Sequence, residues 1–203
     1  RRISEGDDDK NLTETEKFSR EFFATAAALS QTGAMDDEAV EKLNTSLLEK
    51  IQSPAVRKIY LLSDLKTTED TSLKTFTTYN SALISIFTKY QAKTSVGEIL
   101  EEFIGDGENE NVAALAKLDP IIKQTNTIIS GMLNTKTPQA LAQEHLDIVN
   151  ALEKLSENLS DIKLYDTDPI LSMGGISAYE ENGASLESAI IKLGDELNKK
   201  LKN

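Results

Sequence analysis

Apolar positions recur at steps of three and four residues over most of this chain. That spacing places the side chains on one face of an α-helix, so it predicts a series of amphipathic helices. The most regular series is Leu141, His145, Ile148, Leu152, Leu155, Leu159 and Ile162. Because no pair of alternating strands joined by a hairpin turn can be read, the pattern predicts an all-α fold.

Helix start and stop signals divide the chain into segments. Thr13 with Glu16, and Ser95 with Glu98, have the spacing of a capping box, and Asp168-Pro169 is typical of a cap followed by a first turn. Thr137-Pro138 has the same form. The predicted helices cover about residues 13–31, 36–52, 69–91, 95–104, 112–134, 138–162 and 169 to beyond 197. Short loops between the last helices favour antiparallel neighbours.

At three places the pattern does not decide by itself whether a helix forms, continues or bends. Residues 55–68 cluster apolar side chains without a clear period, which fits either a short helix or an extended crossover. Pro120 predicts a kink or a restart, and the unbroken apolar phase favours a kink. The phase also continues through Gly183, which favours one long C-terminal helix. We therefore expect an elongated antiparallel bundle of about six or seven helices with a long C-terminal helix.

The first residues have no packing pattern. Residues 1–11 form a polar leader, which we interpret as a disordered linker behind a removed signal peptide or anchor, or as an expression remnant. Residues 12–203 are expected to form a single helical domain. The apolar runs in this sequence are too short to span a bilayer.

Charge and composition narrow the function classes. The net charge is −12 and the basic residues form no stripe, so neither nucleic acid nor an anionic membrane surface is an expected partner. The absence of cysteine excludes disulfides and thiolate chemistry. A di-iron bundle site needs a Glu-x-x-His pair on each of two helices, and the chain has one histidine.

The candidate functional positions are polar groups on apolar helix faces. His145 is either a general base or a core residue whose hydrogen bonds come from Asn80 or Tyr90. Asn80 is either a buried amide that fixes helix register or a group that faces a ligand. Tyr179 completes this set of possible core or pocket residues. We expect no catalytic, cofactor-binding or metal-binding residue.

Other motifs are weak. Ser63 with Lys66, and Ser160 with Lys163, have the Ser-x-x-Lys spacing of penicillin-recognising enzymes, but the supporting Lys-Thr-Gly and Ser-Asp-Asn elements are missing. The acidic residues between 98 and 110 lack the spacing of a helix-loop-helix calcium site. We interpret them as a solvated loop.

The C-terminal third carries a combination of residues that resembles one group of proteins. This combination is Pro138, His145-Leu146, Asp168-Pro169 and Tyr179. It resembles uncharacterised helical proteins of small-genome, candidate-phylum bacteria that have an N-terminal membrane anchor. The resemblance implies an extracytoplasmic domain behind a missing anchor, and it assigns no catalytic residue. Arg1-Arg2 directly after an anchor would favour the cytoplasmic side, which is the alternative location.

Together these observations predict a non-catalytic structural or protein-interaction module. We expect it to be the soluble domain of a membrane-anchored cell-envelope protein, with a protein partner and with membrane contact only through the missing anchor. The alternative is a small-molecule-binding bundle with an internal pocket near His145. A third hypothesis is a hydrolase that uses Ser63 or Ser160.

Overall fold

A computed structural model describes residues 12–32, 37–52, 58–89, 94–106 and 110–202. Its seven α-helices are α1 (Glu14–Thr32), α2 (Asp37–Gln52), α3 (Leu73–Lys89), α4 (Val96–Ile104), α5 (Leu118–Asn134), α6 (Ala142–Ile162) and α7 (Pro169–Lys202). Three 3₁₀ turns cover Leu62–Asp64, Val112–Lys117 and Gln139–Leu141. The predicted all-α class is confirmed. The predicted linker, residues 1–11, lies outside the described residues.

The centre of the molecule is the antiparallel pair of α6 and α7. Each apolar-stripe residue predicted for α6 is buried, and so are residues on its other faces, such as Leu146, Val149 and Ala151. Because α6 is covered by α5 on one side and by α7 on another, it is a central rather than a surface helix. The prediction of one long C-terminal helix is confirmed, since α7 continues without a break through Gly183.

α6 and α7 approach each other closely near Gly175. A Cβ atom at Gly175 would lie 2.8 Å from the carbonyl oxygen of Asn158 and 3.1 Å from Cβ of Asp161. One turn earlier, the Ser172 hydroxyl donates a hydrogen bond of 2.8 Å to the carbonyl oxygen of Ile162. Small side chains therefore permit the backbone of α7 to rest on the last turn of α6.

Two apolar clusters pack along this helix pair. The first, which we name the α3 core, joins α3, α5, α6 and the C-terminal half of α7; its buried members include Phe76, Leu83, Ile129, Met132, Ile148, Leu152, Leu193 and Leu197. The second, the α4 core, joins α4, the turn after it, and the opposite ends of α5 and α6; its members include Ile99, Phe103, Leu115, Leu118, Leu159 and Ile162.

A layer of polar side chains lies between the two cores. The Ser156 hydroxyl donates to Oδ1 of Asn126 over 2.9 Å, and Nδ2 of Asn182 donates to Oδ1 of Asn158 over 2.7 Å. In sequence, Asn126 on α5, Ser156 and Asn158 on α6, and Asn182 on α7 each fall between residues of the α4 core and residues of the α3 core. We name these four residues the polar belt.

The predicted capping signals are confirmed where the structure describes them. The Thr13 amide donates to the Glu16 carboxylate over 2.8 Å, and the Glu16 amide donates to the Thr13 hydroxyl over 3.1 Å. Ser95 and Glu98 form the same reciprocal pair at the start of α4. The predicted stop at Gly105 is also confirmed, because this residue takes a φ of 59° at the C-terminus of α4.

Two proline signals work differently from the prediction. The segment predicted as one kinked helix over 112–134 is a 3₁₀ turn followed by α5, and Pro120 lies in the first turn of α5. A first-turn amide has no partner within its helix, so proline loses no hydrogen bond there. Pro138 precedes a 3₁₀ turn, and α6 begins only at Ala142.

Where the structure describes it, from residue 58, the uncertain segment is a crossover that contains one 3₁₀ turn, Leu62–Asp64. The side-chain amide of Asn150 accepts from the amide of Tyr60 over 2.8 Å and donates to its carbonyl oxygen over 3.1 Å. Further along, β1 (Thr67–Thr68) pairs in parallel with β2 (Thr137–Pro138). No alternating pattern marks these two-residue strands in the sequence, so the prediction missed them.

Candidate functional site

His145 is fully buried between α3 and α5. Its Nδ1 lies 2.8 Å from the hydroxyl oxygen of Tyr79, and its Nε2 lies 3.1 Å from the carbonyl oxygen of Met132. A carbonyl oxygen only accepts, so we assign the proton to Nε2, which donates to Met132. Nδ1 then accepts from the Tyr79 hydroxyl. Both ring nitrogens are therefore occupied by groups of the protein.

The surroundings of His145 keep its ring neutral. Burial lowers its pKa to about 4, although the hydrogen bond to the Met132 carbonyl works in the opposite direction. Burial also raises the pKa of Tyr79, with a smaller contribution from the negative charge of Glu144. At neutral pH the pair is uncharged and fully hydrogen-bonded. This arrangement matches the core-residue interpretation of His145 rather than the general-base interpretation.

The predicted partners of His145 need correction. Tyr79, not Asn80, turns inward from α3: Tyr79 is 1% exposed, whereas Asn80 is only half-buried. Phe76, Tyr79 and Leu83 make the buried face of α3, while Leu73 at its start is 57% exposed. The other predicted partner, Tyr90, lies outside the described residues.

Tyr179 belongs to a different part of the molecule. It is half-buried on α7 and packs against the α4 core, and burial raises the pKa of its hydroxyl. His145 lies next to the α3 core, because Tyr79 and Met132 belong to that cluster. The structure therefore does not bring His145 and Tyr179 into one site.

A cleft lies on the outer side of Tyr79. It has a volume of about 510 Å³, and it is lined by Thr68, Asp70, Lys74, Thr75, Thr78, Tyr79, Ala82, Asn134, Thr135 and Lys136. His145 is not one of the lining residues, because Tyr79 stands between it and the cleft. This surface cleft reaches Tyr79 but not the imidazole, so it differs from the internal pocket predicted near His145.

The two Ser-x-x-Lys pairs are held in other contacts. The Ser160 hydroxyl donates to the carbonyl oxygen of Ser156 over 2.8 Å, and the Lys163 ammonium pairs with Asp119 on α5. The Lys66 ammonium donates to Oδ1 of Asn134 over 2.7 Å. Neither lysine is seen to activate its serine.

The described residues were also searched for metal-ligand clusters and for membrane-spanning helices. Within the described ranges, no group of three or more histidine and acidic side chains is placed to hold a metal ion. None of the described helices is both long enough and apolar enough to cross a bilayer. Residues 107–109 of the acidic loop lie outside those ranges.

A row of aromatic side chains stands on α1. The ring centroids of Phe18 and Phe22 are 6.1 Å apart, and those of Phe22 and Phe23 are 5.7 Å apart with the rings edge to face. Phe22 is 37% exposed and Phe23 is 69% exposed. We name these three residues the aromatic row.

The N-terminus of α1 is fixed to the N-terminus of α7 by Asp168. The Asp168 carboxylate accepts from the amides of Glu14 and Thr15 over 2.8 and 2.9 Å, and from the Thr15 hydroxyl over 2.6 Å. It also accepts from the amide of Leu171, in the first turn of α7, over 3.3 Å. One carboxylate therefore caps two helices and fixes where the aromatic row begins.

The described elements define the class of this protein as an all-α helical bundle organised around a long antiparallel helix pair. Comparison of the chain with protein-family models, with curated proteins and with solved structures gave no match. Function must therefore be argued from the surfaces and clefts themselves.

Proposed function

We propose that this protein is a non-catalytic interaction module that binds a protein partner through the aromatic row of α1. The observation that carries the proposal is the solvent exposure of Phe22 and Phe23 within a continuous aromatic contact. Three of the six phenylalanines of the chain stand in this one row. Aromatic side chains provide much of the binding energy at protein interfaces.

The helix next to α1 also exposes apolar side chains. α2 contacts both α1 and α7, and its Val40 and Leu48 are also exposed. Single exposed apolar residues are common on protein surfaces and need no explanation. Two helices in contact that both expose large apolar side chains are less common and favour a docking surface.

The charge of the chain indicates the chemistry of the partner. A net charge of −12 makes the association of two copies unfavourable at low salt and favours a partner with basic residues around an apolar face. We therefore propose a different protein as the occupant of this surface.

The polar groups of the interior support a structural role, because the described buried side-chain N and O atoms all have hydrogen-bond partners.

The experiment is site-specific photo-crosslinking in cells that make the full-length protein. A benzophenone amino acid replaces Phe23 in one variant and Ile84 in another; Ile84 is 54% exposed on α3 and serves as the matched control. We expect one protein adduct from position 23 that position 84 does not give. After the partner has been identified and purified, Phe23→Ala should raise the Kd by at least about fivefold, while Ile84→Ala leaves it unchanged.

Three outcomes would overturn the proposal. These are the same adducts from both positions, an adduct that consists of a second copy of this chain, and equal affinity of the two alanine variants. Because Phe23 is largely exposed, its replacement should leave the fold intact, and circular dichroism of each variant checks this directly.

The location is a separate part of the proposal. The resemblance of the C-terminal third supports a place in the cell envelope, on the extracytoplasmic side. Protease is added to intact cells and to opened cells that make the full-length protein. Cleavage in intact cells would show that the module lies on the extracytoplasmic side. Cleavage only after the cytoplasm is opened would move the module to the cytoplasmic side.

A further inference from the structure

The cleft beside Tyr79 combines segments that are distant in sequence. Lys74, Thr75 and Thr78 come from the first half of α3, whereas Asn134, Thr135 and Lys136 come from the end of α5 and the turn after it. β1 contributes Thr68 and is held there by its pairing with β2. The volume of about 510 Å³ falls within the range of small-molecule sites.

Two lysines line this cleft, and neither forms a salt bridge. In the part of the chain that the structure describes, no carboxylate oxygen lies within ion-pairing distance of the ammonium of Lys74 or Lys136, whereas Lys163, Lys192 and Lys199 all have such partners. Lys136 acts on Asp70 only through its charge, at longer range. The chain has 34 acidic and 22 basic residues, so the cleft presents two ammonium groups on a surface that is acidic overall.

The one carboxylate of the cleft is already engaged. Asp70 accepts from the Ser72 amide over 2.9 Å and from the Thr75 hydroxyl over 2.7 Å. These hydrogen bonds, together with the charge of Lys136, hold the pKa of Asp70 below its usual value. Its oxygens are bound to the start of α3, so an anion in the cleft meets two ammonium groups and a single carboxylate.

The rest of the lining provides one more donor and an apolar wall. The Thr78 hydroxyl makes no hydrogen bond to another described residue, and it stands one residue before Tyr79 on α3. Ala82 and the small part of Tyr79 that is exposed, 1% of its surface, line the apolar side. A ligand with a charged head and a compact body matches this distribution of groups.

We propose that this cleft is a binding site for a small organic anion with a carboxylate or phosphate head group. The head group lies between the ammonium groups of Lys74 and Lys136 and accepts a hydrogen bond from Thr78. The body of the ligand rests against Tyr79 and Ala82. This site is independent of the aromatic row and of the protein partner proposed above.

The test uses His145 as the reporter. His145 is the single histidine of the chain and is hydrogen-bonded to Tyr79, so its side-chain NMR signals report on a ligand that binds beside Tyr79. The probes are glucose 6-phosphate, citrate and glucose, titrated into the full chain. We expect saturable shifts of the His145 signals with an anionic probe, with a Kd of about 1 mM or tighter, and no saturable shift with glucose.

Matched variants separate the cleft from general charge effects. Lys74→Gln combined with Lys136→Gln should weaken probe binding at least about tenfold, since two charge-assisted contacts are lost. Lys123→Gln removes one exposed lysine of α5 that does not line the cleft, and should leave the Kd unchanged. Thr78→Val, which removes a single hydroxyl, should weaken binding by a smaller factor.

The outcomes are distinct. Shifts with glucose 6-phosphate alone assign the head group as phosphate, and shifts with citrate alone assign it as carboxylate; either supports the site. The proposal is overturned if neither anion shifts the signals, if glucose shifts them equally, or if Lys123→Gln weakens binding as much as the double variant does. Loss of anion binding with unaltered crosslinking at Phe23 keeps this result separate from the proposed partner.

Discussion

The pair of His145 and Tyr79 shows what burial does to a titratable residue. The imidazole has a hydrogen-bond partner at each nitrogen, but neither partner is an anion that could stabilise a charged ring. Protonation would also turn Nδ1 into a donor facing a hydroxyl that now donates to it. The pair therefore joins α3 to the end of α5 only in its neutral form.

The first prediction concerns the pH dependence of stability. The pKa of His145 is about 4 in the folded protein and about 6.5 in an unfolded chain. Above the unfolded value both states are neutral, and the stabilisation is fully present. As the pH falls from about 6.5 to about 4, only the unfolded state binds a proton, so the free energy of unfolding should drop by about 3 kcal/mol.

Urea unfolding at about pH 7 and about pH 5 measures this slope. His145→Gln is the control, because its amide can donate to Met132 and accept from Tyr79 without titrating. The variant should show a much smaller decrease between the two pH values. Equal decreases in both proteins would remove His145 as the cause.

The second prediction compares two glycines on the same helix. Gly175→Ala places a Cβ 2.8 Å from the backbone oxygen of Asn158, and this overpacking should destabilise the protein by about 1–3 kcal/mol. Gly183→Ala meets no atom within 4 Å, so the higher helix propensity of alanine should stabilise the protein by up to about 1 kcal/mol. Denaturant unfolding of the two variants should give opposite signs. A shared sign would contradict the close contact of α6 and α7 at Gly175.

At the scale of elements, Asp168 explains how α1 stays attached to the bundle. Burial raises the pKa of its carboxyl, but the hydrogen bonds from Thr15 and the backbone amides outweigh burial, so the pKa is lowered. A lowered pKa means that the carboxylate stabilises the folded state above its unfolded pKa, and that this contribution is lost as the pH falls through the folded value. Acid should therefore release both helix caps with one proton.

The third prediction is that Asp168→Asn loosens α1 selectively. The amide keeps one acceptor oxygen but points an NH₂ group at backbone donors, so each capped helix loses part of its cap, at about 1 kcal/mol each. Hydrogen exchange in the first two turns of α1 should accelerate by about tenfold, with little change in α6. Asp166→Asn, an exposed change in the same loop, is the control. Uniform acceleration in all helices would contradict a local role.

Elements were predictable where the signal is local. The capping boxes at Thr13 and Ser95 act within one turn. The apolar stripe of α6 directly shows which residues of that helix are buried. The face of α3 was wrong by one residue because Phe76, Asn80 and Leu83 fit steps of four and three as well as Phe76, Tyr79 and Leu83 fit steps of three and four. The sequence alone could not decide between an inward amide and an inward phenol.

The candidate sites needed contacts over long distances in the chain. Lys74 and Lys136 share a cleft because α3 contacts both α5 and β2, and the two-residue strands have no sequence pattern of their own. The Asn150 amide holds the backbone of Tyr60, ninety positions away, as a neighbouring strand would. Such contacts leave no periodic pattern in the sequence. The sequence therefore predicted that His145 lies on an apolar helix face, but it did not predict the groups that surround it.

At the scale of the whole molecule, the polar belt separates the α3 core from the α4 core. Asn158 is buried and its partner Asn182 is half-buried, so a shift of one helix along the other would leave the buried amide of Asn158 without its partner. The Asn158–Asn182 hydrogen bond should therefore fix the register of α6 against α7 at some cost in stability.

The fourth prediction tests this register role with a double-mutant cycle. Asn182→Leu alone leaves the amide of Asn158 without its partner and should cost about 1–3 kcal/mol. Asn158→Leu combined with Asn182→Leu removes both polar groups, and the free energy of unfolding should recover most of this loss. Urea unfolding of the two single variants and the double variant gives the coupling energy. A double variant that is less stable than either single variant would contradict the prediction.

The α6–α7 pair also sets the distance between the two proposed sites. Asp168 and the start of α1 lie at the loop that joins these helices, while the cleft opens next to the other end of α6. The 21 residues of α6 span about 30 Å. The cleft and the start of α1 therefore lie about one length of α6 apart. If an anion in the cleft changes the affinity for a partner on α1, the coupling is carried by the packing between these two ends, and the partner must change the affinity for the anion by the same factor.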